Sequence, residues 1–348
     1  MPTFDPDVAL LLEAARKSGA LPFEALAPDA ARVAYAESRD RLQVPAQDVA
    51  SIRNVDITGP AGPLTLRIYR PIGTQADELL PCTLFLHGGG WVIGNLDSHD
   101  RLCRRLSNTS ASCVVAVDYR LAPEHPFPAA INDSLAALEW VTSHETELNI
   151  AHQCLALAGD SAGGNLVAVL ALMGRDGTAP AAVFQALLYP ALDLTGQSPS
   201  YERIKAGVPL TASTMRYFIE HYTPDSSDRL EWRASPLRSP SLAGAPPALV
   251  LTVGNDPLCD EGRAYAQRLE DDGVRVTALH LSDQLHGLLM MEKVIGMSTV
   301  TVDFVGALLG NALRQSMRQA ALTLTRDHDP LTSHSDPAFR LTPMKETT

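Results

Sequence analysis

From residue 82 onward, short apolar runs alternate with amphipathic stretches. The runs are Cys82–Leu86, Cys113–Asp118, Cys154–Ala158, Phe184–Tyr189, Ala248–Val253 and Val276–Leu281. Each is nearly continuous in apolar residues, as expected of a strand covered on both faces. The stretches between them, near His99–Asn108, Ala129–His144, Ala162–Arg175 and Asp260–Asp272, have helical periodicity. Strands alternating with helices predict an α/β fold with a mainly parallel sheet. Upstream, Val49–Ile57 and Leu64–Tyr69 alternate like strands around a turn at Gly59-Pro60-Ala61-Gly62-Pro63, which brings the strand candidates to eight.

Residues 1–50 read as helices. Asp5 is placed to cap, Pro6 takes the first helical position, Val8, Leu11, Leu12 and Ala15 make the apolar stripe, and Gly19 closes the helix. A second helix is predicted over Pro28–Leu42. The interval Pro190–Pro247 is too long for a simple crossover and carries its own helix, with Met215, Phe218, Ile219 and Tyr222 on one face. The insertion, at about 195–235, and the N-terminal helices are expected to cap one end of the sheet of a domain over 51–320. A last helix is expected over Ser298–Arg318, and the polar tail 321–348 is expected to lack fixed structure.

The 348 residues are 45% hydrophobic and 20% charged, which excludes a disordered or collagen-like chain. A net charge of −12 disfavours nucleic acid and anionic membranes as partners. No run reaches the roughly 18 apolar residues of a spanning helix, and the N-terminus lacks the basic region of a secretory signal. The cysteines, Cys82, Cys103, Cys113, Cys154 and Cys259, are odd in number and contain no CxxC, so reduced thiols in a cytoplasmic protein are expected.

The chemistry begins at Gly159-Asp160-Ser161-Ala162-Gly163, a G-x-S-x-G that follows one apolar run and opens a helical stretch. Chance alone puts this pentapeptide in roughly one chain in ten of this length, so its placement carries the argument. A strand-to-helix turn of this kind exposes the serine on a tight elbow at a helix N-terminus. His87-Gly88-Gly89-Gly90-Trp91 closes an earlier strand; its glycines turn backbone N–H groups toward a ligand, and with the N–H of Ala162 they suit a developing oxyanion. No G-K-[ST] follows, which removes a phosphate cradle. His87 reads as a brace of the loop. A serine nucleophile needs a base and an orienting acid, in the order Ser, Asp or Glu, His. Asp256 follows the strand Ala248–Val253; its rival Asp260 opens the next helix, where capping explains it. His286 follows the last strand, His280 lies inside it, and Asp283 is close in sequence without fixed geometry. The expected triad is Ser161, Asp256 and His286. The ten histidines show no H-E-x-x-H, and His328 and His334 sit in the polar tail, so no metal is expected.

With HGGGW (87–91), VDYRLAPEHPFPAA (117–130), GDSAGGN (159–165), DPLCDEG (256–262) and LHG (285–287), the chain resembles the hormone-sensitive-lipase-like branch of the α/β-hydrolases, over about residues 5–315. The resemblance implies an eight-stranded, mostly parallel sheet with strand two antiparallel, helices on both faces and a helical cap. It implies cofactor-free hydrolysis of short- to medium-chain esters, and dimerisation through the last strand. It makes Gly88, Gly89 and Ala162 the oxyanion donors, gives Asp160 a role in holding loops, and makes Tyr119, Arg120 and Glu124 scaffold. Leu288 replaces the branch's usual phenylalanine, and Cys259 a position often basic. Expected pocket residues are Phe23, Tyr35, Val208, Leu210, Tyr217, Phe218 and Leu288. Alternatives on the same scaffold are a lactonase, amidase or deacetylase with the same triad, or a non-catalytic receptor such as the plant gibberellin receptors, which lack the histidine.

Overall fold

A computed structural model describes residues 4–327. Helix α1 (Pro6–Ser18) starts at Asp5, whose side chain accepts from the Asp7 amide, and stops at Gly19 with φ 65°. Val8 is its buried residue, while Ala15, at the end of the expected stripe, is exposed. Helix α2 (Pro28–Leu42) has the predicted limits.

The strands are β1 (Ser51–Gly59), β2 (Gly62–Arg70), β3 (Leu80–Leu86), β4 (Cys113–Val117), β5 (Ile150–Asp160), β6 (Phe184–Leu188), β7 (Ala248–Asn255) and β8 (Val276–Leu285). They form one sheet in the order β1-β2-β4-β3-β5-β6-β7-β8. β2 is antiparallel to both its neighbours, and the remaining pairs are parallel. The helices between them are α3 (Asp100–Ser110), α4 (Ala129–Ser143), the short α5 (Glu145–Leu148), α6 (Ala162–Arg175), α7 (Pro199–Arg203), α8 (Ala212–Tyr222) and α9 (Cys259–Asp271), with α10 (Gly296–Asp327) closing the described chain.

Alternate residues of each central strand serve opposite cores. Leu84, Leu86, Leu155 and Leu157 join one cluster with α4, α6 and α9. Phe85, Ala156 and Ala158 join the other, with α3 and α10. That double burial is why these strands read as unbroken apolar runs.

Several elements run longer than expected, among them β5, which spans Ile150–Asp160 rather than Cys154–Ala158. β8 reaches Leu285 rather than Leu281, because it is an edge strand and its polar residues Ser282 and Asp283 need cover on one side only. α10 continues to Asp327, past the predicted end at Arg318, so 321–327 are helical rather than without fixed structure; residues 328–348 of the expected tail lie outside the described residues. The segment Gly296–Ala320 of α10 is long and apolar enough to cross a membrane, at a mean hydropathy of 1.2. Its stripe of Val302, Val305, Leu309 and Leu313 is nevertheless fully buried in the second core, so this is a core helix.

Candidate active site

Sheet register assembles the site. β3 and β5 are neighbours with Leu86 opposite Gly159, so the loop after β3 and the turn after β5 emerge side by side. β7 and β8 pair Asn255 with Leu285, which places Asp256 and His286 one residue beyond matched positions. Ser161 sits at the elbow with φ 56° and ψ −117°, in the left-handed region that costs a non-glycine residue energy. The turn is possible because Gly163 presses on β3: a Cβ there would lie 1.9 Å from the Leu86 carbonyl oxygen.

Asp256, Ser161 and His286, far apart in sequence, form one hydrogen-bonded chain. His286 Nδ1 donates to Asp256 Oδ2 at 2.7 Å, and His286 Nε2 lies 2.9 Å from Ser161 Oγ, which donates to it. The Asp256 carboxylate is buried and also accepts from the Leu258 amide at 2.8 Å. The Tyr189 ring packs against the imidazole, with centroids 4.8 Å apart. Asp260 is elsewhere, paired with Arg203, and His280 is bonded to Thr252.

The glycine loop departs from expectation at one position. The Gly88 amide is committed to Asp160 Oδ1 at 2.8 Å, so it is not available to an oxyanion. Gly89 and Gly90, with φ 124° and 58°, border a cavity that Ser161 and His286 also line, and neither amide donates to another described residue. The donor set offered by the geometry is therefore Gly89, Gly90 and Ala162. The same Asp160 oxygen is 3.1 Å from His99 Nε2. Burial pushes the Asp160 carboxyl up, but His99 and the Gly88 amide outweigh it and hold it below the ordinary carboxylate range. His87 braces the loop, its Nδ1 donating to the Gly88 carbonyl at 2.8 Å and its ring stacked 4.2 Å from Tyr119. Burial and the neighbouring His99 lower its pKa to about 3, so it is neutral at ordinary pH. Tyr119 donates to the His87 carbonyl at 2.6 Å, Arg120 pairs with Asp133, and Glu124 with Arg32, so all three hold framework.

A cavity of about 90 Å³ opens on Ser161 and His286. Phe23, Tyr35, Leu210 and Phe218 line it, as expected from sequence. Three expected residues do not. Val208 is half-exposed just outside, with Pro209 and Leu210 turned in. Tyr217 points away, donating to the Leu26 carbonyl at 3.1 Å. Leu288 is fully buried, because the tight turn after Gly287 (φ 80°) directs it into the core and leaves Met290 and Met291 on the wall. Arg39, Ile93 and Met215 also border the cavity and were missed. Arg39 follows Tyr35 by four residues on α2, a spacing that puts both on one face.

The N-terminal segment and the insertion meet over this cavity. Phe23 contacts Phe218 with centroids 6.1 Å apart, and Ser213 and Thr214 each donate to Glu24 at 2.8 Å. Trp91 of the glycine loop stacks on Tyr222 at 4.4 Å. Asn165 donates to the carbonyls of Ala191 and Ala234, at 2.9 and 2.8 Å, pinning both ends of the insertion to α6. Glu261, which sequence reasoning left without a role, accepts from the amides of Leu192 and Asp193, and burial pushes its carboxyl well up. A second cavity of about 440 Å³ lies behind the glycine loop; it is bordered by Arg32, Asp118 and Glu124 and does not reach the triad.

Known proteins resemble the chain in sequence and in fold. Residues 83–290 match the model of a family described by its alpha/beta hydrolase fold. The chain is 38% identical over 323 residues to carboxylic ester hydrolase LipN of Mycobacterium tuberculosis, covering 90% of this chain and 84% of that one. It is 38% identical over 303 residues to an ethyl acetate hydrolase of Pseudomonas putida, covering 84% and 94%. Among solved structures, a thermostable esterase from Pseudomonas putida superposes with a TM-score of 0.86 at 34% identity, over 90% of this chain and 98% of its own. On sequence and fold together, the chain belongs to the α/β-hydrolase family, in its hormone-sensitive-lipase-like branch.

Proposed function

We propose that the protein is a serine carboxylesterase of short- to medium-chain esters, with Ser161 as nucleophile, His286 as base and Asp256 as orienting acid. The observation that carries this reading is the unbroken Asp256–His286–Ser161 hydrogen-bond chain beside uncommitted backbone amides. His286 takes the hydroxyl proton as Ser161 Oγ attacks the ester carbonyl carbon, and Asp256 holds the Nδ1–H tautomer and steadies the imidazolium. The carbonyl electron pair moves to oxygen, where the amides of Gly89, Gly90 and Ala162 receive it; each such donor is worth about 3 kcal/mol of barrier. His286 then returns the proton to the departing alcohol. Water, activated by the same imidazole, releases the carboxylic acid from Ser161.

The cavity supports small acyl groups: its volume of about 90 Å³ is well below the ~300–1,000 Å³ of drug-sized pockets. The relatives' names, carboxylic ester hydrolase and ethyl acetate hydrolase, agree with this class. The five buried cysteines, none in a disulfide, support a reducing compartment such as the cytoplasm. The outer edge of β8, which pairs with no second strand among the described residues, supports a homodimer joined there.

The test is a rate series on p-nitrophenyl esters from acetate to palmitate, with Ser161→Ala as control. Rates are expected to be highest at the short end, and Ser161→Ala to lower turnover by about three orders of magnitude or more while keeping the native circular dichroism spectrum. No hydrolysis across the series would remove the esterase reading.

A further inference from the structure

The catalytic cavity has a cation on its wall that the triad and the amides do not use. Arg39 is 8% exposed and borders the same cavity as Ser161 and His286. Its partners are few. Nη1 donates to the Met290 carbonyl at a long 3.4 Å, Nε to Ser38 Oγ at 3.3 Å, and the guanidinium carbon lies 4.7 Å from the centre of the Tyr35 ring. Among the described residues, no carboxylate forms an ion pair with it. Nearby arginines are paired: Arg32 with Asp29 and Glu124, Arg101 with Asp40, and Arg105 with Asp303. Glu292 feels the charges of Arg105, Arg101 and Arg39 without contact to the last, and burial keeps its carboxyl above the ordinary range.

A guanidinium removed from water without a counter-ion is costly, and an apolar residue would suit a cavity meant only for neutral esters. The group has five N–H donors in a planar fork, and two of them have the partners named above. The remaining donors match a carboxylate better than any neutral group.

Building on the esterase reading, we propose that Arg39 binds an ionised carboxylate on the substrate, so that the preferred substrates are short esters carrying a second, anionic acid group. That group belongs either to the acyl part, as in a half-ester of a dicarboxylic acid, or to the alcohol part, as in an acylated hydroxy acid. Arg39 is a specificity residue: it anchors the far end of the substrate while the ester carbonyl meets Ser161. With a net charge of −12 on the chain, the preference arises from contact rather than from long-range attraction.

The experiment compares kcat/KM on matched pairs that differ only in a terminal carboxylate or its neutral amide. One arm uses the mono-p-nitrophenyl ester of glutaric acid against the p-nitrophenyl ester of glutaramic acid. The other follows O-acetylglycolate against O-acetylglycolamide in a pH-stat. The carboxylate is expected to be favoured about tenfold or more in one arm, which identifies the part that carries it. The difference is expected mainly in KM. In Arg39→Gln the carboxylate-to-amide ratio should fall to about one, and Arg39→Lys should restore part of it; a purely structural role would lower both members of a pair alike. Should Arg39→Gln not fold, competition on the wild type decides: glutarate should inhibit neutral-ester hydrolysis more strongly than glutaramide. A flat ratio in both arms, a ratio unchanged in a folded Arg39→Gln, or equal inhibition by the two would overturn the proposal while neutral-ester turnover kept the esterase reading intact. Absence of hydrolysis of every ester would fell that reading instead.

Discussion

Asp160 does more for the site than its place beside the nucleophile suggests. One of its oxygens takes the Gly88 amide and faces His99, so a single buried carboxylate fixes the glycine loop relative to the elbow. Asp160→Asn weakens that charge-assisted anchor and is expected to cost about 1.5–3 kcal/mol, the worth of a hydrogen bond to a charged group. Because the carboxyl ionises more readily in the folded chain, its contribution is whole above the ordinary carboxylate pKa of about 4 and is lost as pH falls below it. Urea titrations of both proteins should therefore show a stability gap that is widest near neutrality and closes in acid. His87 has the opposite chemistry and the same sign. Held neutral down to about pH 3 when folded, it takes up a proton near pH 6.5 when unfolded. Its share of stability is whole above about 6.5 and falls toward 3, by up to about 1.4 kcal/mol per pH unit. His87→Gln should flatten the acid limb of the stability curve between pH 6 and 4; an unchanged slope would contradict a neutral buried imidazole.

The α8 helix carries the cavity's apolar wall and touches the loop that holds the amides. Phe218 packs so closely on Gly90 that a Cβ there would lie 2.3 Å from its ring, and on its other side it meets Phe23. Phe218→Ala removes that wall and is expected to raise octanoate turnover relative to butyrate several-fold, read from the p-nitrophenyl series; an unchanged profile would move the acyl group elsewhere. The α8 stripe of Met215, Phe218, Ile219 and Tyr222 was legible in sequence, because its period alone buries one face. So were α2 and α6, to the residue, and the strand-end positions of Ser161, Asp256 and His286. The end of β8 was not, because an edge strand tolerates polar residues that look like a loop. Nor was the cavity wall. Whether Leu288 or Met290 faces substrate depends on one tight turn after Gly287, and whether Gly88 or Gly90 offers its amide depends on where Asp160 reaches across from another strand. Both are outcomes of tertiary contact that no local pattern encodes.

As a whole, the molecule is a sheet between two apolar cores, with Ser161, Asp256 and His286 at the carboxyl ends of strands. α10 closes the second core, and its apolar stripe belongs to the fold rather than to a lipid phase. Leu309, fully buried within it, should cost about 2–5 kcal/mol when replaced by alanine, measured as a lower urea midpoint. The fold gives Ser161 its strained elbow and hands it to an imidazole set by a different pair of strands. The most direct test of that convergence is mass spectrometry after titration with a fluorophosphonate, in which the serine oxygen bonds to phosphorus as fluoride leaves. One adduct per chain, on the peptide containing Ser161, forming in step with the loss of esterase activity and absent from Ser161→Ala, is the predicted result. Complete inactivation with Ser161 unmodified, or with the adduct on another residue, would contradict it.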